Sequence, residues 1–392
     1  MTIDYGPWTI HHSPFTPSKP QAITKLRIAI LGTRGIPNRY GGFEQVAAHL
    51  SSGLVSLGHN VTVYCPSTHP YKQENWNGVK LIHCSSPDKL GSAAQFCYDL
   101  SCTLDARKRD FDIWLILGYT SSSVWGWLYP KENTVLISNM DGLEWKRSKY
   151  NRVAQRFLQF AEKLAVKHSH FLVADSLAIR DYLQEKYGVR GKYIAYGAEV
   201  TEQADEYELK IFGLEKEGYF LAIARMEPEN NIGMLLEGFI AARTGKRLVL
   251  IGNINNAWGR YWRKQFEDHF RIIFVDALYD PSTLAALRKY CSLYFHGHSC
   301  GGTNPSLLEA MGAGAMICAH DNAFNRAILG EDAKYFQSGM DVKRCMETVR
   351  PRSAYASVTK KNIQKIRGEY NWPAIVATYE RFMIDCYNSM NG

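Results

Sequence analysis

Short apolar segments alternate with helical patterns along most of the chain. Each segment is nearly continuous in apolar residues, which is typical of strands buried on both faces of a parallel sheet. Because helical patterns separate the segments, we predict a doubly wound α/β sheet. In the first half the predicted strands are LRIAIL at 26–31, VTVYC at 61–65, VKLIH at 79–83, IWLIL at 113–117, TVLIS at 134–138 and HFLVA at 170–174.

The alternation stops at 198–217, where the chain turns acidic and loses its apolar period, and it then restarts. Such a break is typical of a domain boundary. The second set of predicted strands lies at 219–224, 247–252, 272–275, 292–295 and 315–319. We therefore predict an N-terminal extension at 1–24, Rossmann-like domains at 25–200 and 201–370, and a C-terminal helix at 371–392.

The C-terminal helix is predicted to begin at the cap residue Asn371. Its apolar stripe consists of Ile375, Tyr379, Phe382 and Cys386. The stripe can pack on the second domain or cross back to the first, and the periodicity leaves both arrangements open.

Two loops at predicted strand ends carry arginines, and ligands of open α/β sheets bind at such ends. The loop GTRGIPNRYGGFE, 32–44, is not a GxGxxG fingerprint, and no acidic residue ends the second strand, so a dinucleotide site is disfavoured. It is either a binding loop or a turn needed for chain reversal, with Glu44 a ligand or a dipole-favoured surface carboxylate. Arg225 follows a strand and would stabilise a leaving diphosphate, or form a surface ion pair.

The third loop, HGHSCGGTNPSLLE at 296–309, joins a buried strand to a helix through a Gly-Gly turn. Pro305 fits the first helical position, where its missing N–H costs nothing. Free backbone N–H groups and the positive end of the helix dipole would bind an anion there, and Glu309 would accept hydrogen bonds from a polyol. The alternative is a loop shaped only for tight packing. His296 and His298 have no nearby carboxylate pair, so we expect no metal.

A basic amphipathic segment spans 144–171, where seven Lys and Arg accompany two Glu. Val153, Phe157, Phe160 and Leu164 form its apolar side. Such a helix lies on anionic lipid or covers a core with its charged side in solvent.

The composition narrows the class of protein. A net charge of +8 favours anionic partners, but the basic residues are not interleaved with aromatic ones along one groove, which disfavours nucleic acid. The nine cysteines include no CxxC pair, as expected for a reducing cytoplasm. No apolar run reaches the ~18 residues of a membrane span. We expect a cytoplasmic protein, at most peripheral to the cytoplasmic face of the inner membrane.

Several of these motifs together resemble GT-B glycosyltransferases of the large retaining family 4. The matching residues are Gly41-Gly42-Phe43-Glu44, Arg225, Glu309 in LLEAMGAG and Trp372, and the resemblance covers the chain from about residue 25. More narrowly, RYGGFE, DGLEWKRSKY, RMEPENN and HGHSCGGTNPSLLEAM resemble the bacterial β-1,4-rhamnosyltransferases of cell-wall and capsular polysaccharide assembly.

The resemblance implies two domains facing a cleft, a nucleotide-sugar donor, and no metal or other cofactor. The donor would be dTDP-β-L-rhamnose on the second domain, and the acceptor a lipid-linked diphosphate sugar on the first. Glu309 would bind the ribose, Arg225 the diphosphate, and Asp276 to Leu278 the base. The implied donor-binding residues are Gly42, Asn230, Asp276, Leu278, His298, Gly301, Gly302, Thr303, Asn304 and Glu309, and the implied acceptor-binding residues are Gly41, Glu44, Glu144 and Lys146.

Two positions depart from the family pattern. Gly301 stands where the family has a second Glu, and Asn230 stands where it has a Lys. A 6-deoxy sugar in a reshaped pocket is consistent with both changes. We expect front-face transfer with Arg225 as the charge-stabilising residue, and Asp141, or after it Asp175, positioning the acceptor hydroxyl. A nucleotide-sugar epimerase or hydrolase of the same fold, and a non-catalytic nucleotide-sugar-binding protein, remain alternatives. The sequence does not indicate an oligomeric state.

Overall fold

The computed structural model describes residues 25–39, 41–87, 91, 93–140, 142–147 and 150–391. The predicted extension at 1–24 lies outside the described residues. So does Asp141, the first candidate for positioning an acceptor.

The N-terminal half forms one sheet with eight strands in its described residues. They are β1 (Arg27–Leu31), β2 (Asn60–Pro66), β3 (Asn75–Trp76), β4 (Val79–Cys84), β5 (Ile113–Leu117), β6 (Val135–Asn139), β7 (Phe171–Ala174) and β8 (Lys192–Tyr193). The order is β3-β4-β2-β1-β5-β6-β7-β8, and only the edge pair β3–β4 is antiparallel. The helices are α1 (Gly42–Ser56), α2 (Ala93–Ala106), α3 (Arg152–His168) and α4 (Leu177–Tyr187), with 3-10 turns at Ser123–Leu128 and Glu144–Lys146.

The C-terminal half forms a second, fully parallel sheet in the order β11-β10-β9-β12-β13-β14. Its strands are β9 (Tyr219–Ile223), β10 (Arg247–Ile251), β11 (Ile272–Val275), β12 (Leu293–His296), β13 (Ile317–His320) and β14 (Lys334–Phe336). Its helices are α5 (Ile232–Ala241), α6 (Ala257–Phe266), α7 (Pro281–Tyr290), α8 (Pro305–Gly312), α9 (Ala323–Leu329), α10 (Gly339–Glu347) and α11 (Ala356–Gly368). The strand order reverses between β9 and β12, the kind of point at which α/β sheets bind ligands.

The predicted fold class, two Rossmann-like doubly wound sheets, is confirmed. The long strands were predictable because they are buried on both faces, as in β5, where all five residues are buried. The pattern missed β3 and β14, which are two and three residues long and too short to give an apolar run. The predicted boundary at 200/201 lies in the connection between β8 and β9.

The C-terminal helix α12 (Trp372–Asn391) crosses back to the first domain, where it packs on α1 and β6. Its predicted stripe is buried, and Tyr379 accepts a hydrogen bond from the Asn139 side chain at 3.2 Å. Phe382 packs edge-on against Phe171, with ring centroids 6.2 Å apart. The helix therefore ties the two domains together, which settles the choice that periodicity left open.

Helix α3 is oriented differently from the simplest interpretation of its sequence. Leu158, Ala161, Ala165 and Val166 face the interior, whereas Val153, Phe157 and Phe160 of the predicted apolar side are exposed. The small residues allow α3 to approach the 3-10 turn Ser123–Leu128 closely, and Ser123 Oγ donates to the carbonyl of Ala161 at 2.7 Å. Of the two arrangements left open by the sequence, the one in which these larger apolar residues cover a core is therefore wrong. No helix in the described parts of the chain is long and apolar enough to cross a membrane.

Candidate active-site cleft

A cavity of about 960 Å³ lies between the carboxyl-end loops of the two sheets. Most of the predicted site residues line it: Gly41, Gly42, Glu44, Glu144, Arg225, Asn230, Leu278, His298, Gly301, Gly302, Thr303, Asn304 and Glu309. Asp175, Asp276 and Lys146 do not line it, although they lie in neighbouring loops. The cleft thus brings together segments that are 264 residues apart in sequence, as the contact between Gln45 in α1 and Glu309 in α8 shows.

The glycine turn before α8 has the geometry of an anion site. The Asn304 side chain caps α8 by accepting from the Ser306 N–H at 3.0 Å, and Pro305 occupies the first turn. Gly301 has a φ of 129°, a conformation that residues with a Cβ rarely adopt. The turn therefore directs the positive end of α8 toward the cleft, as a nucleotide diphosphate would require.

Asp175 of the first domain contacts this turn directly and holds it in position. The Thr303 hydroxyl donates to the carbonyl of Asp175, and Gly302 packs directly on the Asp175 carboxylate. Asp175 is only 1% exposed. This placement favours a role for Asp175 in holding the glycine turn over direct contact with an acceptor.

We predict that Gly302→Ala will disturb the cleft without unfolding either domain. A Cβ at Gly302 would overlap the Asp175 carboxylate, so the turn must move. We expect a loss of about 1–3 kcal/mol of stability, typical of an overpacked site, together with weaker donor binding. Thermal unfolding and donor titration measure the two effects. The matched control is Gly368→Ala, because a Cβ there meets no atom within 4 Å. Equal behaviour of the two variants would contradict the packing described.

Glu309 is held by residues from both domains. Its carboxylate pairs with the Arg288 guanidinium, and its Oε1 accepts from Gln45 Nε2 at 2.8 Å. Arg288 is 7% exposed, whereas the Glu309 side chain is 28% exposed. The carboxylate is therefore fixed in position while one side of it remains open to the cleft. Neither partner could be identified from the sequence, because Arg288 and Gln45 lie within ordinary amphipathic helices and belong to no motif.

Two arginines from different domains line the cleft and lie near the same carboxylate, that of Glu227. The Arg225 side chain is 54% exposed, and its Nε lies 3.8 Å from Glu227 Oε2. Arg147, from the first domain, binds Glu144 at 2.5 Å and lies 3.9 Å from Glu227 and 4.0 Å from Glu229. Arg225 is thus loosely paired and open to a ligand. Glu144 was a predicted site residue and Arg147 was not, although both line the cleft.

The two histidines of the third loop are neutral; His296 is buried, and His298 lines the cleft. His296 and His298 stack with ring centroids 4.3 Å apart. Burial lowers the pKa of His296 to about 3. The pKa of His298 lies well below its usual range because the side chain is buried and lies near His296, Arg225 and Arg147. Among the described residues, no group of three His, Cys, Asp or Glu side chains is placed to hold a metal ion.

Two buried carboxyl groups line the cleft on the side of the first domain. Glu44 is 4% exposed and accepts from the Arg34 N–H at 2.8 Å, and burial raises its pKa. Asp99 is 3% exposed and accepts from Ser121 Oγ at 2.5 Å and Gln95 Nε2 at 3.1 Å. Burial raises the pKa of Asp99 to about 7. Asp99 belongs to no recognisable motif, so no sequence signal pointed to it.

We predict that the free energy of unfolding depends on pH because of Asp99. Its pKa of about 7 in the folded protein exceeds the ~3.9 of an unfolded aspartate. Its contribution to folding is therefore fully present below about pH 4 and is lost as the pH rises through 7. A shift of this size corresponds to roughly 4 kcal/mol. We expect Asp99→Asn to raise the free energy of unfolding relative to wild type at pH 8, and to raise it much less at pH 5. Denaturant unfolding at both pH values measures this, with the exposed Asp268→Asn as control. An equal effect at both pH values would contradict the burial assignment.

The remaining predicted residues have structural partners. Asp276 accepts from Asn255 Nδ2 at 2.9 Å and from the Ile254 N–H at 3.4 Å, so it orders the loop beside Leu278. Lys146 is exposed, with its Nζ 5.4 Å from the Trp145 ring centroid. Asn230 donates to the Arg225 carbonyl at 2.7 Å and thereby fixes the turn that carries Arg225. Gly42 faces Pro305 across the cleft, and a Cβ there would lie 3.3 Å from its ring.

Comparisons with known proteins agree with this architecture. A sequence family described as a domain of unknown function (DUF1972) matches residues 25–199, and no curated protein matches the sequence. Sucrose-phosphate synthase from Thermosynechococcus elongatus superposes with a TM-score of 0.78 at 15% identity, covering 93% of this chain and 100% of its own. HepE from Anabaena, solved with UDP-glucose, superposes with a TM-score of 0.71 at 11% sequence identity. The match covers 93% of this chain and 100% of HepE. The α,α-trehalose 6-phosphate synthase of Burkholderia multivorans superposes with a TM-score of 0.68 at 11% sequence identity. The match covers 94% of this chain and 98% of the synthase.

At these identities the likeness establishes the fold. In this chain the fold consists of two Rossmann-like sheets, a cleft lined by both domains and a terminal helix that returns to the first domain. The chain therefore has the GT-B fold of glycosyltransferases.

Proposed function

We propose that the protein is a retaining glycosyltransferase that uses a nucleotide sugar. The observation that carries the proposal is the arrangement of the cleft, where the α8 N-terminus, the open Arg225 side chain and the fixed Glu309 carboxylate line one cavity. An anion-binding turn beside a carboxylate matches a diphosphate linked to a ribose. HepE, which shares the fold, was solved with UDP-glucose.

The proposed donor is dTDP-L-rhamnose, and the proposed acceptor is a lipid-linked saccharide in cell-surface polysaccharide synthesis. The four motifs that resemble β-1,4-rhamnosyltransferases support this choice. Gly301 also supports it, since a glycine there leaves the sugar end of the cleft without a side chain from that position. In this proposal the protein is cytoplasmic and contacts the inner membrane, where such an acceptor is anchored.

The proposed reaction needs no protein nucleophile. The bond between the sugar C1 and the diphosphate oxygen breaks, and the acceptor oxygen forms a bond to C1 on the same face. The acceptor proton passes to the departing diphosphate oxygen. Arg225 and the amides of the glycine turn stabilise the charge that develops on that oxygen, and Glu309 holds the ribose. The chemistry requires only positive side chains and a helix end, which the cleft supplies.

One incubation separates this function from its alternatives. The protein is mixed with dTDP-rhamnose, with and without a lipid-linked GlcNAc acceptor. A transferase releases dTDP and extends the acceptor only when both substrates are present. An epimerase or hydrolase consumes the donor without acceptor, and a binding protein does neither. Thermal shifts with dTDP, UDP and GDP sugars identify the base, because a ligand that binds the folded state raises the unfolding temperature.

A further inference from the structure

The outward side of α3 carries an unusual group of exposed apolar side chains. Val153 is 77% exposed, Phe160 is 54% exposed and Phe157 is 38% exposed. They are spaced at i, i+4 and i+7, so they form one stripe along the helix. Trp127, 65% exposed, lies in the 3-10 turn that packs against α3. Single exposed apolar residues are ordinary, but a contiguous stripe of large ones marks an interaction surface.

The same side of α3 is strongly basic. Four cations on the helix are exposed: Arg152, Arg156, Lys163 and Lys167. At 3.6 residues per turn, they form a second stripe directly beside the apolar one. The only acidic residue of the helix, Glu162, is 1% exposed and binds Lys186 at 2.8 Å, on the buried side. The exposed surface of α3 therefore carries four positive charges and no negative charge.

We propose that this α3 outer face, formed by the two stripes and Trp127, binds the surface of an anionic lipid bilayer. A helix with a cationic stripe beside an apolar one lies in the plane of the interface, with its large side chains among the acyl chains. Tryptophan suits that depth because its ring is apolar and its N–H reaches the headgroups. A protein partner of matching shape would need acidic groups around an apolar groove, whereas an anionic bilayer supplies both features over the full length of the helix.

The position of α3 relates this face to the cleft. Glu144 and Arg147 line the cleft, and α3 begins only five residues later at Arg152. Phe157 of the α3 outer face also packs against Phe96, with ring centroids 5.7 Å apart, and the adjacent Gln95 lines the cleft. A bilayer on this face would therefore lie close to the cleft. This relation to a lipid-linked acceptor rests on the proposed function, but binding to the bilayer does not.

Vesicle co-sedimentation of the full chain, without donor or acceptor, tests the proposal. We expect binding to mixed phosphatidylcholine and phosphatidylglycerol vesicles, little binding to phosphatidylcholine alone, and weakening by added salt. The variant R152Q/R156Q/K163Q/K167Q removes the cations. Each contributes about a fivefold change in partitioning, so we expect an overall loss on the order of several hundredfold. The variant W127Q/V153Q/F160Q removes the apolar part, and we expect at least a tenfold loss, since roughly 0.8 kcal/mol is lost per buried methylene.

The control I211Q/F270Q removes two side chains that are 68% and 84% exposed on the other domain, and it should bind as wild type does. All the substituted side chains are exposed, and unchanged thermal unfolding confirms that the variants fold. The proposal is overturned if the wild-type protein does not bind anionic vesicles, or if the control variant loses as much binding as the α3 variants. It is also overturned if the chain is a dimer that W127Q/V153Q/F160Q separates in the absence of vesicles. Because no sugar is present, failure here leaves the proposed transferase activity standing, and failure of transfer leaves this result standing.

Discussion

Arg225→Ala is expected to lower the rate of sugar transfer by roughly 10²–10³-fold, as is typical when one preorganised charge-stabilising group is removed. The Arg225 guanidinium is half exposed in the cleft and has only a loose contact with Glu227 at 3.8 Å, so it is available to a departing diphosphate. Because the charge on the leaving oxygen grows in the transition state, we expect the turnover number to fall more than the donor affinity. Steady-state kinetics with varied donor measures both quantities.

Two matched variants isolate this effect. Arg225→Lys keeps the positive charge but lacks the planar guanidinium group that can donate two hydrogen bonds to a phosphate. It should therefore retain only part of the activity. Arg263→Ala removes an exposed arginine from α6, outside the cleft, and should leave transfer unchanged. Near-normal turnover of Arg225→Ala would contradict the assigned role.

Glu309→Gln is expected to weaken nucleotide binding about 10–100-fold, which is the usual loss when a hydrogen bond to a charged group is removed. The substitution keeps the size of the side chain but removes the charge that pairs with Arg288 and that is proposed to bind the ribose. Because the ribose is present in both substrate and product, we expect similar losses for dTDP and for the dTDP sugar. Calorimetric titration with each ligand measures this.

The partner on the first domain provides the control for Glu309. Gln45→Ala deletes the 2.8 Å hydrogen bond between the domains but leaves the carboxylate and Arg288 in place. We therefore expect a smaller loss of nucleotide affinity than with Glu309→Gln. Since Arg288 is 7% exposed and would lose its partner in Glu309→Gln, thermal unfolding is recorded in parallel. If both variants bound dTDP as wild type does, the ribose assignment would be wrong.

The strands and the glycine turn could be predicted because their physical requirements are local. A strand buried on both faces must be apolar along its whole length, and β5 shows this directly. The turn before α8 needs glycines and a capping residue at fixed positions, and Asn304 fills the capping role. These requirements act over a few residues and therefore leave a readable pattern.

The residues that the sequence did not reveal depend on contacts between distant segments. Arg288, Arg147 and Asp99 reach the cleft only because two domains meet there. The direction of α12 was likewise undetermined, since an apolar stripe specifies that a helix is buried and not which domain buries it. Helix α3 shows the converse, because it has two apolar sides and only the fold decides that Leu158, and not Phe160, faces the interior.

The cleft is proposed to transfer a sugar with retention of configuration, and analysis of the product of a complete reaction tests this proposal. Purified protein, dTDP-β-L-rhamnose and a lipid-linked GlcNAc acceptor are combined, and the product is followed by NMR and mass spectrometry. We expect the acceptor to gain one deoxyhexose in the same anomeric configuration as the donor, with dTDP released in equal amount and only in the presence of acceptor. An inverted linkage, or donor consumption that does not require acceptor, would show that the cleft does not catalyse retaining transfer.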